Sequence, residues 1–338
     1  MISFCQKNIM IKPPKYWYNK DIKLPIYIYL LYPLKILLDL IGIIRNKFIK
    51  GKSVSVPVIC VGNISVGGTG KTPAVITLAK KLSAKGYNVS FISRGYPKKI
   101  VIPINVDLQK HTSNDVGDEG MLLAKIASTW VSSNRFRAAQ QAKEHGANII
   151  IMDDGFQNPT IHKDFSIITI DSKTSFGNGH TIPLGPLREM PNRALSRAQA
   201  VIIIGDQNNE LIQNIKSINS RIPVFTASIK LKKDITKDYK RVIAFTGIGL
   251  PQKFFLMLEK NKLNIIEKHE FPDHHFYTEK EIQQLIARGK EINAKLVTTE
   301  KDFIKIPKKF HDNIHEICIE LQFNQEEQLF DIINHCLN

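Results

Sequence analysis

From residue 54 onward, short β-branched apolar runs alternate with stretches of helical spacing. The runs at 56–61, 88–92, 148–152, 166–170 and 200–204 read as strands, and 73–84, 119–127 and 137–145 between them read as helices. That alternation predicts an α/β fold with a mostly parallel sheet. A second series follows: strands at 242–246, 264–267, 295–298 and 316–321, and helices at 252–260, 279–290 and 325–336. The mixed polar run IKLKKDITKDYK at 229–240 separates the two series and places a boundary near residue 228. Three units are therefore expected: a basic amphipathic segment over 1–52, a larger α/β unit over 53–228, and a smaller α/β unit over 229–338. There is no internal repeat and no long low-complexity tract.

The first of these units has a pattern of its own. LPIYIYLLYPLKILLDLIGII, residues 24–44, is about long enough to cross a bilayer. Lys35 and Asp39 lie inside it, however, and Pro25 and Pro33 interrupt it. At helical spacing Lys35, Asp39, Gly42 and Asn46 fall in one narrow stripe, and the remaining surface is Ile, Leu and Tyr. A thin polar stripe, basic flanks and several tyrosines suit a helix lying in a membrane interface rather than spanning it. The alternative is a helix docked on the protein's own core.

Charge sharpens that picture. The formal net charge is +16, and residues 1–52 hold ten Lys/Arg against Asp21 and Asp39, a local +8. Such a field attracts nucleic acid, anionic lipid or a phosphorylated substrate. No RNA- or DNA-binding motif is present, and the basic excess sits beside apolar helix, so an anionic lipid surface is the expected partner and nucleic acid is not. The cysteines, Cys5, Cys60, Cys318 and Cys336, are scattered without a C-x-x-C pair. That argues against a zinc knuckle or a disulfide framework and fits a reducing compartment. No cleavable signal peptide is evident.

The candidate chemistry begins at VICVGNISVGGTGKTP, residues 58–73. An apolar strand, a glycine loop and a helix starting near Lys71 form the context of a phosphate-binding loop. Ser65 occupies the position where the usual pattern has its first glycine. It stands where the chain leaves the strand, so a small side chain is tolerable there. Gly67, Gly68 and Gly70 supply the tight turn in which backbone N–H groups curl around phosphate oxygens. The expected nucleotide-binding residues are Ser65, Val66, Gly67, Gly68, Thr69, Gly70, Lys71 and Thr72. Lys71 would reach the β- and γ-phosphates, the Thr72 hydroxyl would ligate Mg²⁺, and the helix N-terminus would add its dipole. A second magnesium anchor is supplied by NIIIMDDGFQ, where a buried strand runs into Asp153 and Asp154. FTGIGLP at 245–251 lacks the spacing of a second nucleotide site and reads as a plain βα turn.

GNISVGGTGKTP, SRGY (93–96), GDE (117–119), DDGFQ (153–157), GPLRE (185–189), FPDHH (271–275) and TTEKD (298–302), in this order, resemble the tetraacyldisaccharide 4'-kinases of lipid A synthesis. One position departs from the family pattern: Asn158 stands after DDGFQ, where histidine is usual. The resemblance implies transfer of the γ-phosphate of ATP to the 4'-hydroxyl of a lipid-linked glucosamine disaccharide 1-phosphate. It implies Mg·ATP, two α/β domains joined by a hinge, and a peripheral site at the cytoplasmic face of the inner membrane. It also suggests Asp118 as general base on the sugar hydroxyl with His274 as its partner. Those two residues lie in different expected units, so they are expected to meet only when the cleft closes. Arg188 and Arg135 are candidates to neutralise charge on the transferring phosphoryl group. TTEKD lies at a strand end, where Thr298 or Thr299 could simply cap the next helix. A monomer is expected. A P-loop ATPase driving a partner or a metal-insertion step would share the loop and the Asp pair, but would need neither acceptor nor base.

Overall fold

In the computed structural model, which describes residues 14–18, 25–95, 100–232 and 239–337, two sheets of unequal size carry the molecule. In chain order the first elements are α1 (Tyr32–Phe48), β1 (Val58–Gly62), α2 (Lys71–Ala84), β2 (Val89–Ser93), β3 (Ile104–Asn105), α3 (Ser113–Val116), α4 (Asp118–Ala124) and β4 (Ser128–Val131). Then come α5 (Arg135–Glu144), β5 (Ile149–Asp153), β6 (Phe165–Asp171), α6 (Pro191–Leu195), β7 (Ala200–Ile204), α7 (Asn209–Ile218) and β8 (Val224–Leu231). The later part contributes β9 (Val242–Thr246), α8 (Pro251–Lys260), β10 (Ile265–Glu270), α9 (Glu279–Glu291), β11 (Lys295–Thr299) and α10 (Glu300–Phe303). It ends with β12 (Ile314–Ile317), β13 (Ile319–Phe323) and α11 (Glu326–Leu337).

The larger sheet runs β13-β8-β7-β6-β1-β5-β2-β4-β3. Its seven inner strands are parallel, and β13 and β3 close the edges antiparallel. Every residue of β1, β2, β5 and β7 is buried. Such unbroken apolar runs are what a parallel sheet covered on both faces requires. One face packs on α2 and α11 through Val75, Leu78, Leu82, Phe330 and Ile333. The other packs on α5, α6 and α7 through Ala138, Ala142, Leu195, Leu211 and Ile215. Strand β1 therefore sits centrally between β5 and β6, and the loop after it opens at the carboxyl end of the sheet, where open α/β sheets hold their ligands.

The smaller sheet, β10-β9-β11-β12, is parallel throughout. Its faces are covered by α9 through Ile282 and Leu285, and by α8 through Phe255 and Leu258.

Two expectations change here. The boundary near 228 falls inside β8, which runs to Leu231; residues 233–238 of the polar run lie outside the described residues. The strand expected over 316–321 is two strands. β12 pairs with β11 in the smaller sheet, and β13, one residue later, pairs with β8 in the larger one. The chain thus returns, and β13 and α11 bury Leu321, Phe323, Leu329, Phe330 and Ile333 in the larger unit's core.

The expected N-terminal helix is present as α1, and its orientation is the reverse of an ordinary surface helix. Lys35, Asp39, Gly42 and Asn46 are the half-buried stripe, while Leu34, Leu37, Leu40, Ile41, Ile44 and Phe48 are exposed. Lys35 and Asp39 pair at 3.0 Å, and Asp39 accepts from the Thr181 hydroxyl at 3.1 Å. Arg45 donates to the Gln157 carbonyl. The helix rests on the protein by its polar side and turns its apolar side outward. Among the described residues no helix is long and apolar enough to cross a membrane. Residues 1–13 and 19–24, with Cys5 and several of the basic side chains, lie outside the described residues, as does Tyr96 of SRGY.

Candidate active site

The loop from Asn63 to Gly70 joins β1 to α2. Gly67 and Gly70 have φ of +107° and +81°, a region open to glycine. A Cβ on Gly70 would also lie 2.8 Å from Ile204 Cδ1. The first half of the loop behaves as a strand. Ser65 forms an antiparallel bridge with Leu187, Val66 N donates to Pro186 O at 2.8 Å, and Arg188 N donates to Ile64 O at 2.6 Å. Ser65 is thus buried outside the tight turn, stitched to the GPLRE loop, where glycine's freedom is not needed. The hydroxyls of Thr69 and Thr169 share a hydrogen bond at 2.9 Å, and that of Thr169 also donates to Gly62 O at 3.2 Å. Lys71 is the first residue of α2, so the cleft meets the positive end of a helix dipole.

The two adjacent aspartates have separate environments. Asp154, in a left-handed conformation at φ 51°, takes Lys71 Nζ at 3.3 Å and Arg188 Nη1 at 3.0 and 3.1 Å. Burial would raise its pKa; Lys71 and Arg188 outweigh that and hold it below the usual range. Asp153 ends β5, fully buried, and neither carboxylate oxygen has a hydrogen-bond partner. Burial first, then the charges of Glu119 and Asp154, push it up to about 8. A buried carboxylate with two orphaned oxygens is costly unless something positive meets it. Among the described residues no three His, Cys, Asp or Glu side chains converge as a preformed metal cage. Magnesium does not need one: it takes one or two carboxylates and completes its shell with water and substrate phosphates. Asp153, Asp154 and the Thr72 hydroxyl fit such a site, and all three line the same cleft.

That cleft, of about 1990 Å³, lies between the two sheets, and His274 lines it from the far side. His274 Nδ1 meets Asp118 Oδ2 at 2.9 Å. The two side chains, which the sequence places in different units, are thus brought into direct contact. Asp118 is 5 % exposed at the start of α4, with Gly117 as the cap residue before it. Its other oxygen accepts from Glu119 N at 2.9 Å. Burial would raise its pKa; the hydrogen bond from His274 and the Lys301 ammonium bring it down to about 2. His274 stands at φ 59° and donates its own N–H to Gly247 O at 3.1 Å, so the ring is aimed by its backbone.

Arg135 is 3 % exposed and donates to Ser132 O, with its Nε unpartnered. Burial and Arg94 lower its pKa to about 10, opposed by Asp154 and Asp153. It lines the cleft, as do Arg188 and Arg94. Asn158 takes the amide and hydroxyl of Thr160 on its own Oδ1, closing a local turn. In TTEKD, Thr299 does cap α10, accepting from Asp302 N at 3.1 Å.

Lys301 was not singled out as a site residue by the sequence, yet it reaches Asp118 at 3.6 Å and Glu119 at 3.5 Å. Burial opposes its charge; Glu119, Asp118 and Asp273 hold it above lysine's ordinary range. Its only signal was its place in TTEKD. Lys253, which reaches the phosphate loop from α8, had none.

The family model for tetraacyldisaccharide-1-P 4'-kinase matches residues 27–338. A tetraacyldisaccharide 4'-kinase of Parvibaculum lavamentivorans is 42% identical over 299 residues, covering 88% of this chain and 87% of that protein. One of Gluconobacter oxydans is 42% identical over 285 residues, covering 82% and 86%. The crystal structure of the "apo" form of LpxK from Aquifex aeolicus in complex with ATP superposes with a TM-score of 0.75 at 29% identity, covering 93% of this chain and all of that one.

Proposed function

This chain belongs to the tetraacyldisaccharide-1-P 4'-kinase family, and on that premise we propose that Asp118, supported by His274, is the base toward the acceptor hydroxyl. The chain is a kinase that transfers the γ-phosphate of ATP to the 4'-hydroxyl of tetraacyldisaccharide 1-phosphate. The observation that carries the assignment of the base is the 2.9 Å His274–Asp118 hydrogen bond on the wall of the cleft that also holds the phosphate loop.

In the reaction the 4'-oxygen bonds to the γ-phosphorus, the bond to the bridging oxygen breaks, ADP leaves, and the hydroxyl proton must go to a base. A carboxylate held near pKa 2 is a weak base toward a ground-state alcohol. In a loose transition state the proton leaves late, once the oxygen has begun to bond to phosphorus and its proton has turned acidic. Asp118 then needs chiefly to be in place and charged. His274 orients it, and Lys301 keeps its charge balanced. Lys71 and Arg188 converge on Asp154; with nucleotide bound they would serve phosphate oxygens, and Arg135, which lines the same cleft, would add charge. Thr72, Asp153 and Asp154 would hold Mg²⁺, which when bound neutralises charge on the β- and γ-phosphates.

We assign the working units as 53–231 with 319–337 for the nucleotide side and 239–317 for the smaller side. The outward apolar face of α1 is the proposed contact with the membrane surface at the cytoplasmic face, where the lipid acceptor resides, and the working form is proposed to be a monomer. The test is incubation with Mg·ATP and tetraacyldisaccharide 1-phosphate, reading a new 4'-phosphate on the lipid. Asp118→Ala should lose transfer while ATP affinity is kept. ATP hydrolysis without lipid phosphorylation would instead support an ATPase that acts on a partner.

A further inference from the structure

A phosphate loop binds by turning peptide N–H groups inward, and each inward N–H leaves the carbonyl of the same peptide facing out. An outward carbonyl that is fixed by a donor fixes the N–H on its other side. In the tight turn from Val66 to Gly70, two carbonyls have such donors from outside both the loop and the helix after it. Val66 O accepts from the Tyr18 hydroxyl at 2.7 Å. Gly68 O accepts from the Lys253 ammonium at 2.8 Å. The peptides concerned carry the N–H groups of Gly67 and Thr69.

The donors are themselves held. Lys253, on the first turn of α8, pairs with Asp171 Oδ2 at 2.6 Å. Asp171 is the last residue of β6, beside β1, and its other oxygen accepts from Thr174 N at 2.8 Å and the Thr174 hydroxyl at 2.9 Å. Its carboxylate is therefore set independently of the lysine. Burial and the Asp171 charge both raise the Tyr18 pKa, which keeps that hydroxyl a donor. Trp17, the preceding residue, anchors Tyr18 through its carbonyl, which accepts from Asn178 N at 2.8 Å. Donors on a carbonyl also polarise the peptide, so its N–H becomes a stronger donor toward an anion.

We propose that Tyr18 and Lys253 are positioning residues for the phosphates of ATP. They hold the Val66–Gly67 and Gly68–Thr69 peptides with their N–H groups set for the anion, one from the N-terminal segment and one from the smaller unit. The proposal rests on the reading of the loop as the ATP site. Lys253 thereby ties the pose of the smaller unit to the geometry of the loop, in addition to the ion pair of Lys260 with Asp206 at 3.2 Å.

The test is calorimetric titration of the full chain with Mg·ATP, alongside kinetics at saturating ATP. An ammonium-to-carbonyl bond lost in Lys253→Met should raise Kd about tenfold, and the neutral bond lost in Tyr18→Phe about threefold. Lys253→Arg, which keeps a charged donor, should restore most of the affinity. The rate at saturating ATP should hold in all three. Lys260→Met, which loosens the two units without touching the loop, should leave Kd unchanged. An unchanged Kd in Lys253→Met and Tyr18→Phe overturns the proposal. So does an equal rise in Lys260→Met, which would make the effect one of unit closure. A collapse in rate at unchanged Kd would move Lys253 to the transferring phosphoryl group. Absence of ATP binding by the unaltered chain would instead remove the nucleotide reading beneath it.

Discussion

At the scale of the residue, the Asp118–His274 pair changes what substitution should do. Because a direct hydrogen bond joins them, the two side chains form one unit. Residues that act as a unit lose activity together, not independently. Asp118→Ala should remove most of the single-turnover transfer rate, and adding His274→Ala should cost little more. Fully multiplicative losses would sink the pair. Asp118 also has a signature without activity. Its pKa is depressed from 3.8 to about 2, so the stability it contributes is present above pH 3.8 and is lost as pH falls through about 2. Asp118→Asn should flatten the unfolding free energy across that window, read by denaturant titration at several pH values. Ser65 points the opposite way: it sits in a bridge and not in the tight turn, so Ser65→Gly should keep activity. A loss as deep as that of Lys71→Ala, measured in the same assay, would give its hydroxyl a direct role.

At the scale of the element, what the sequence reveals depends on how far apart the partners are. The strand, glycine loop and helix of the proposed phosphate site are contiguous, and so are Asp153 and Asp154, so their grouping as candidates is legible from residue types and spacing alone, and they line one cleft. Asp118 and His274 are 156 positions apart; they were reachable only through the resemblance, and Lys253 was not reachable at all. Alternation also reports which face a side chain takes, not which sheet a strand joins. That is why the apolar run around Cys318 read as one strand while its halves serve different sheets. Behind the His274 loop lies a network equally invisible in pattern. Asp302 is fully buried and accepts from Thr246 Oγ1 at 2.6 Å, Gly247 N at 3.1 Å and Thr299 Oγ1 at 2.7 Å, with Lys305 paired at 2.8 Å. Since Gly247 O in turn holds His274 N, the network fixes the loop that aims the imidazole. Asp302→Ala leaves a buried lysine uncompensated and should cost about 3–5 kcal/mol. Adding Lys305→Met should recover much of the stability, because the orphaned charge is gone. Denaturant unfolding of the single and double variants checks this, and equal destabilisation in both would mean the charge pair is not the source.

At the scale of the whole molecule, the decisive feature is the direction of α1. The polar stripe was legible in the sequence; which way it faced was not, because a helix with one thin polar stripe can dock by either side. Its docking through Asp39 and Arg45 leaves a row of large apolar side chains with no cover from the described residues. Patches of that kind mark interaction surfaces, and with ten basic residues among the first 52 of the sequence the partner proposed for it is apolar below and anionic above, as a bilayer is. The outward position also makes the test clean. Leu37, Ile41 and Ile44 are each about half exposed, so replacing all three with serine takes little from the packed core. Each such side chain contributes about 1.5–3 kcal/mol when fully withdrawn from water. Even half that, summed over three, predicts a loss of vesicle affinity of at least about tenfold. Co-sedimentation with vesicles containing anionic lipid, at fixed ionic strength, measures it. Raising the salt should weaken the unaltered protein further by screening the basic flanks, and the triple variant should keep its unfolding midpoint and its ATP affinity. A triple variant that still binds vesicles at full strength would mean the basic residues alone hold the surface, and the apolar face of α1 would then have to be covered by something other than lipid.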